Sequence, residues 1–157
     1  MSQSGARRIK RAIFVDVSSI RFQTQDEVDH FTRFALLKDY IENKEEELAD
    51  YNEGLVAEVA SEVNRRRLTN AGTFRAYAYN YLKNHPKIHK GMTLIVRQLG
   101  PGPEGLPLEI YCFTSTTEWA VYEDIQSDIF DHLLAIVSEF GLRLYQKPAG
   151  SDLANLK

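Results

Sequence analysis

Apolar residues recur along this chain at two spacings, every second residue and every third or fourth residue. Alternation at Ile13, Val15 and Val17 predicts a first strand. Steps of three and four follow in a segment whose other positions are largely acidic, with apolar residues at Val28, Phe31, Phe34, Leu37, Ile41 and Leu48. This spacing predicts one amphipathic helix, capped at its start by Thr24 and ended near Gly54.

A second helix and a hairpin are predicted next. Thr73 is a suitable N-cap for a helix that Pro86 ends, and its apolar stripe is Phe74, Tyr77, Ala78, Tyr81 and Leu82. Residues 92–99 and 108–115 are rich in β-branched and aromatic side chains, which favours strands. The glycines and prolines of residues 100–105 lie between them and predict a hairpin with a long, stiff tip.

The last third of the chain predicts a helix and a short strand. Ser115 and Glu118 have the spacing of a capping box, and Gly141 is placed to end the helix. Residues 142–146 predict a final strand. Residues 151–157 are expected to form a loose tail.

This order of elements predicts an α+β fold of the ferredoxin-like split β-α-β-β-α-β type. We expect an antiparallel four-stranded sheet with helices on one face and an enlarged first crossover. The other face of the sheet is left bare, which invites another subunit, a neighbouring domain or a ligand.

Composition narrows the class of protein. The chain has 157 residues, 43% of them hydrophobic, which suits one domain with a packed core. Its formal net charge of -3 gives no global basic field for nucleic acid. A single cysteine, Cys112, excludes an internal disulfide and is expected in the core. No signal peptide and no apolar run of about 18 residues is present, so we expect no part of this chain to span a bilayer.

Two patterns in the chain resemble known chemistry but lack its context. Gly100, Gly102 and Gly105 match G-x-G-x-x-G, yet a strand and not a helix is predicted after them, and two prolines remove backbone donors. His85 and His89 have a metal-ligand spacing, but Pro86 lies between them and lysines surround them.

The remaining polar candidates also favour structural roles. Asp131 and His132 are sequence neighbours on a helix, where adjacent side chains do not face each other. Tyr77 and Tyr81 share a helical face and are expected to pack. We therefore predict no catalytic, cofactor-binding or metal-binding residue.

Two basic clusters, residues 7–11 and 65–67, are the sharpest charged features. Either could contact nucleic acid or anionic lipid. The negative net charge favours salt bridges instead, to the acidic stretch at residues 42–62 or to a neighbouring subunit.

Several long segments resemble one known family. They are SGARRIKRAIFVD at residues 4–16, NRRRLTNAGTFRAY at 64–77, MTLIVRQLGPGPEGLPLEIY at 92–111, WAVYE at 119–123 and IFDHLL at 129–134. Together they resemble the C-terminal cytoplasmic domain of YbdG-type miniconductance channels, a branch of the small-conductance mechanosensitive channel (MscS) superfamily.

The resemblance implies a vestibule domain of a channel subunit that opens under membrane tension in hypo-osmotic shock. It implies a heptameric homo-oligomer at the cytoplasmic face of the bacterial inner membrane, with transmembrane helices and a β-domain upstream. Residues 1–12 would end that β-domain or form a linker, and residues 13–150 would form the ferredoxin-like domain. We expect the isolated chain to be mostly monomeric or weakly associated.

Two alternatives remain open. A ferredoxin-like domain with a bare sheet face is also typical of regulatory domains that bind small molecules between subunits. An enzyme would require a pocket that holds His85, His89 or His132 beside a perturbed carboxylate.

Overall fold

The computed structural model describes residues 5–54 and 67–146. In this part of the chain, strands and helices follow one another in the order β-α-α-α-β-β-α. Strand β1 spans Arg7–Val15, and helices α1, α2 and α3 span Gln25–Thr32, Lys38–Glu53 and Asn70–Lys83. Strands β2 and β3 span Ile95–Gln98 and Leu106–Thr114, and helix α4 spans Trp119–Ile136. Short 3₁₀ helices occupy Val17–Ser19 and Val137–Phe140.

The described sheet is antiparallel and has three strands in the order β1-β3-β2. The predicted fourth strand contributes one bridge, Leu144 to Val15, on the edge of β1 that faces away from β3. Two backbone hydrogen bonds flank this bridge, from Asp16 N to Arg143 O and from Tyr145 N to Phe14 O, each 2.8 Å long. The mixed α+β class is confirmed, whereas the four-stranded sheet is not seen among the described residues.

One face of the sheet forms the core. Ile9, Ile13 and Val15 of β1 are buried on it, in register with alternate residues of β3. Helix side chains cover this face and add a cluster of buried aromatic rings, in which Phe31 and Phe140 stack at 4.7 Å. Burial of these apolar groups is the main term that holds the two layers together.

The predicted long amphipathic helix is two helices, α1 and α2, and this part of the prediction is wrong. Tight turns interrupt it, with hydrogen bonds from Phe34 N to Phe31 O and from Leu37 N to Phe34 O. Both Phe34 and Leu37 nevertheless pack against the core. Apolar residues recur through the break because these positions contact the core, although no helix continues there.

The N-caps of the helices confirm one predicted cap and correct two. Thr24 caps α1 in a full capping box with Glu27, as predicted for the N-cap. Helix α3 is capped by Thr69 and not by Thr73, whose hydroxyl bonds to the side chain of Gln23 at 2.9 Å. The capping box predicted at residues 115 and 118 is absent, because Glu118 itself is the N-cap of α4 and makes no side-chain cap bond.

The buried side chain of Asn70 ties the loop after β1 to the start of α3. Its Nδ2 donates to Ser19 O at 2.9 Å, and its Oδ1 accepts from Arg21 N at 3.0 Å. A buried amide that satisfies two backbone groups fixes this loop against the helix layer, because leaving either group unpaired would be costly. The opposite face of the sheet remains uncovered by described elements.

Candidate functional site

The uncovered sheet face is the candidate site. Successive side chains of a strand point to opposite faces of a sheet, so every second residue of each strand lies on it. The even-numbered residues of β1 point to it, together with odd-numbered residues of β2 and β3. We call this surface the open face; its members are Arg8, Lys10, Ala12, Phe14, Ile95, Arg97, Pro107, Glu109, Tyr111 and Phe113. Phe14 and Ile95 are 36% and 43% exposed, so apolar area remains in contact with solvent.

An ion pair lies at the centre of the open face. The Arg97 guanidinium contacts the Glu109 carboxylate through Nε at 2.9 Å and Nη2 at 2.8 Å. The side chain of Glu109 is only 8% exposed, whereas that of Arg97 is 53% exposed. The Glu109 carboxylate is therefore buried, and the Arg97 guanidinium is the member of the pair that solvent reaches.

Basic groups dominate the rest of this surface. Arg8 lies over the ring of Tyr111 at 5.9 Å, and Lys10 is exposed beside it on β1. Since Arg97 neutralises Glu109, the two β1 cations leave the open face with a net positive charge.

A groove borders the open face at the start of β1. Arg7 lies there against both Trp119 and Tyr122 of α4, with its guanidinium carbon 4.7 Å and 4.9 Å from the ring centroids. The hydroxyl of Tyr122 donates to Arg8 O at 2.6 Å. Trp119 remains 59% exposed, an unusual exposure for so large an apolar side chain. The groove encloses about 980 Å³.

The sequence indicated the basic cluster of residues 7–11 but not its aromatic surroundings. Arg7, Arg8 and Arg11 lie over rings of Trp119, Tyr111 and Phe130 respectively, and none makes an ion pair with the acidic helix in the described part. The spacing of Trp119 and Tyr122, three residues apart on a helix, was the available signal. Of the second cluster, residues 65 and 66 lie outside the described residues, and Arg67 packs over Phe22 at 4.1 Å.

The glycine pattern and the histidine pair take structural positions. Gly102 and Gly105 exchange two backbone hydrogen bonds of 3.0 Å within the hairpin between β2 and β3, which confirms the predicted turn. His85 and His89 lie after α3, where their Nδ1 atoms accept from the backbone N–H of Lys87 and Gly91. Among the described residues, no group of three metal-ligating side chains could hold an ion.

Cys112 is fully buried on the core face of β3, as predicted. Burial raises the pKa of its thiol to about 12. A thiol that holds its proton so firmly is a poor nucleophile, because the thiolate is the reactive form.

His132 contacts tyrosines and not its sequence neighbour Asp131. Its ring stacks on Tyr81 with centroids 4.3 Å apart, and its Nε2 lies 2.6 Å from the Tyr77 hydroxyl. Burial raises the pKa of both tyrosines, so both hydroxyls keep their protons at neutral pH. The predicted packing role of Tyr77 and Tyr81 is confirmed, and the cluster joins α3 to α4.

Comparison with known proteins supports a family for this domain. Residues 69–144 match the family model described as "Mechanosensitive ion channel MscS, C-terminal". The matched region begins at the cap of α3 and ends at the residue that bridges to β1. It therefore includes β2, β3 and α4.

A curated relative points the same way. The chain is 38% identical over 60 residues to "Low conductance mechanosensitive channel YnaI" of Escherichia coli (strain K12). The aligned residues make up 38% of this chain and 18% of that protein, so the match spans less than a fifth of the relative. Both comparisons support the MscS superfamily and a channel-subunit domain. The miniconductance branch is not confirmed by either.

In the part of the chain that the structure describes, no helix is long and apolar enough to cross a membrane.

Proposed function

We propose that this chain is the cytoplasmic C-terminal domain of a mechanosensitive channel subunit of the YbdG-type miniconductance branch. The observation that carries the proposal is the match of residues 69–144 to the C-terminal domain of MscS channels. The likeness to a low-conductance mechanosensitive channel over 60 residues supports it. The domain shapes a vestibule below the pore and contributes to assembly, gating or ion filtering, with no bond chemistry.

The whole subunit, in this proposal, carries transmembrane helices and a β-domain upstream. Residues 1–12 lead in from that β-domain, residues 13–150 form the vestibule domain and residues 151–157 form its tail. Strand β1 begins at Arg7, so the last six residues of the segment 1–12 belong to the sheet. Seven copies assemble at the cytoplasmic face of the bacterial inner membrane, and the channel opens under tension in hypo-osmotic shock.

The open face is the part of this domain that suits contact between subunits. It combines exposed Phe14 and Ile95 with cations that no described carboxylate neutralises. Interfaces are enriched in aromatic side chains and arginine, and Trp119 and Arg8 at the edge of this face fit that composition. An uncovered sheet face that met only water would expose apolar area without a compensating contact.

Survival after osmotic downshock tests the proposed function. The complete gene is expressed in bacteria that lack their own mechanosensitive channels, and cells are diluted abruptly from high to low osmolarity. We expect survival above the empty-vector level, because a tension-opened pore releases solutes before the cells lyse. A matched gene truncated before β1 controls for expression of the membrane part. Unchanged survival, or an upstream reading frame without apolar helices, would contradict the proposal.

The groove at the start of β1 favours a second candidate, a regulatory domain that binds a small molecule. It encloses about 980 Å³ and is lined by aromatic and basic side chains, among them Arg7, Tyr111 and Trp119. A thermal-shift screen of metabolites separates the two functions. A ligand at 100 times its Kd adds about 2.7 kcal/mol of stability, which gives a measurable shift. A reproducible hit that Trp119→Ala abolishes would favour the second candidate.

A further inference from the structure

Helix α2 carries a strong charge of its own. It contains seven carboxylates and two lysines, and its buried positions are Ile41 and Leu48. Four exposed acidic residues follow one another at helical steps of four, four and three and form an acidic stripe: Glu42, Glu46, Asp50 and Glu53. None of the four makes an ion pair within the described part of the chain. Like charges at this spacing repel one another and weaken the helix unless a partner neutralises them.

The cations of the open face cannot reach this stripe. Arg8 and Lys10 lie on the open face, whereas Ile41 and Leu48 anchor α2 in the core on the opposite side of the sheet. The acidic stripe and the basic open face therefore lie on opposite sides of one molecule. A contact between them requires two molecules.

From these positions, we propose that the open face of one copy of this chain receives the acidic stripe of the next copy. This inference rests on the proposed function, since it names the partner surface for a subunit contact. Two basic faces, or two acidic stripes, would repel each other if copies met symmetrically. The charge pattern thus selects a head-to-tail contact, which generates a ring when its rotation closes.

The dimensions of the two surfaces agree. Residues four apart on a helix are separated by about 6 Å along its axis, as are Glu42 and Glu46. Alternate residues of a strand are about 7 Å apart, as are Arg8 and Lys10. Arg97 lies two strands from Lys10 and two residues further along the sheet, a distance of about 12 Å, which accommodates the width of one helix. A helix laid across the open face can therefore pair successive carboxylates with successive cations and cover Phe14 and Ile95.

Disulfide trapping between two purified variants of the 157-residue chain tests this contact. One variant carries Lys10→Cys on the open face and the other Glu46→Cys on the stripe. The native Cys112 does not interfere, because it is fully buried. The matched control replaces Glu46→Cys with Asp124→Cys, which also removes an exposed carboxylate but lies on α4. Mixtures are oxidised at low salt and the linked species are quantified by mass spectrometry.

We expect the mixture of Lys10→Cys and Glu46→Cys to give at least about tenfold more linked heterodimer than the control mixture. We also expect this yield to fall as salt is raised, since screening weakens contacts between exposed charges. Equal yields in the two mixtures would overturn the inference. Dominant Lys10→Cys homodimers would also overturn it, because they would indicate a symmetric contact between open faces.

Charge reversal gives a second measurement that does not depend on disulfide geometry. One variant carries Arg8→Glu and Lys10→Glu, and the other carries Glu46→Lys and Asp50→Lys. All four positions are exposed, so the fold is expected to survive. Each variant alone should self-associate at least about tenfold more weakly than the parent in sedimentation equilibrium, since like charges then face each other. An equimolar mixture should recover the parental association.

The results of these experiments distinguish a failure of this inference from a failure of the proposed function. A chain that associates equally well after both reversals uses another surface, which would overturn the inference and leave the channel proposal standing. A gene that confers no osmotic protection would overturn the channel proposal whatever the trapping shows. Recovery in the mixture together with loss in each single variant supports the head-to-tail contact.

Discussion

The phenolic oxygen of Tyr77 lies 2.6 Å from Nε2 of His132. This contact links α3 to α4, and Tyr81 stacks on a face of the same imidazole. A hydroxyl is both donor and acceptor, so either neutral tautomer of the ring allows one hydrogen bond. A polar contact thereby joins the two helices.

Replacement of Tyr77 by Phe should remove this hydrogen bond while keeping the ring. We expect the free energy of unfolding to fall by about 0.5–1.5 kcal/mol, because half-buried His132 loses a partner. Urea denaturation of the two proteins measures the difference. Tyr79→Phe is the control, since Tyr79 lies on the same helix with its side chain 37% exposed. Equal stability of Tyr77→Phe and the parent would show that the contact contributes nothing.

The hairpin tip depends on glycine at one position and not at another. Gly105 has a φ of +87°, and a Cβ there would lie 2.5 Å from the carbonyl oxygen of Val15. Gly105→Ala should therefore destabilise the fold by about 1–3 kcal/mol, since both the backbone and the neighbouring strand must shift. Gly102→Ala serves as control, because a Cβ there meets open space. Thermal unfolding that ranks the two variants equally would refute this explanation.

Stability below pH 5 should depend on the ion pair between Arg21 and Glu27. Two hydrogen bonds from the Arg21 guanidinium hold the pKa of the Glu27 carboxyl at about 2, below its ordinary value of 4.5. The unfolded chain then binds a proton more readily than the folded one. The contribution of Glu27 is therefore complete above about pH 4.5 and is lost as the pH falls towards about 2.

The comparison of Glu27→Gln with the parent isolates this effect. We expect the parent to be more stable at pH 6 and the difference to shrink progressively between pH 4.5 and 2. Glu46→Gln is the matched control, since it removes an exposed carboxylate of α2 that has no described ion pair. A stability difference that stays constant over this pH range would mean that Arg21 does not hold the carboxylate as described.

Local signals in the sequence predicted much of the fold, because several of its caps and turns depend only on residues that are close together in the chain. Thr24 and Gly141 sit where the sequence placed them, and Gly141 ends its helix with a φ of +72°. The sequence predicts Thr73 as the N-cap of α3, but the cap is Thr69. Both are threonines that precede apolar residues. Thr73 instead bonds to the side chain of Gln23, and no local pattern contains that long-range contact.

The candidate site was predictable in outline only. The pattern of elements indicated a bare sheet face, but its charge depends on the register of β2 against β3. That register places Arg97 opposite Glu109, so the carboxylate is neutralised. The contact of Arg7 with Trp119 and Tyr122 likewise joins residues more than a hundred positions apart. Contacts of this kind depend on the packing of α4 over β1, which no spacing within one segment reveals.

The central claim is that this domain belongs to a channel subunit opened by membrane tension. Patch-clamp recording from giant bacterial spheroplasts that lack other mechanosensitive channels and express the complete gene tests it most directly. We expect a current of small unitary conductance that appears only when suction is applied to the patch and disappears when it is released. Patches that show no tension-activated current, although the protein is present in the membrane fraction, would contradict the proposed function.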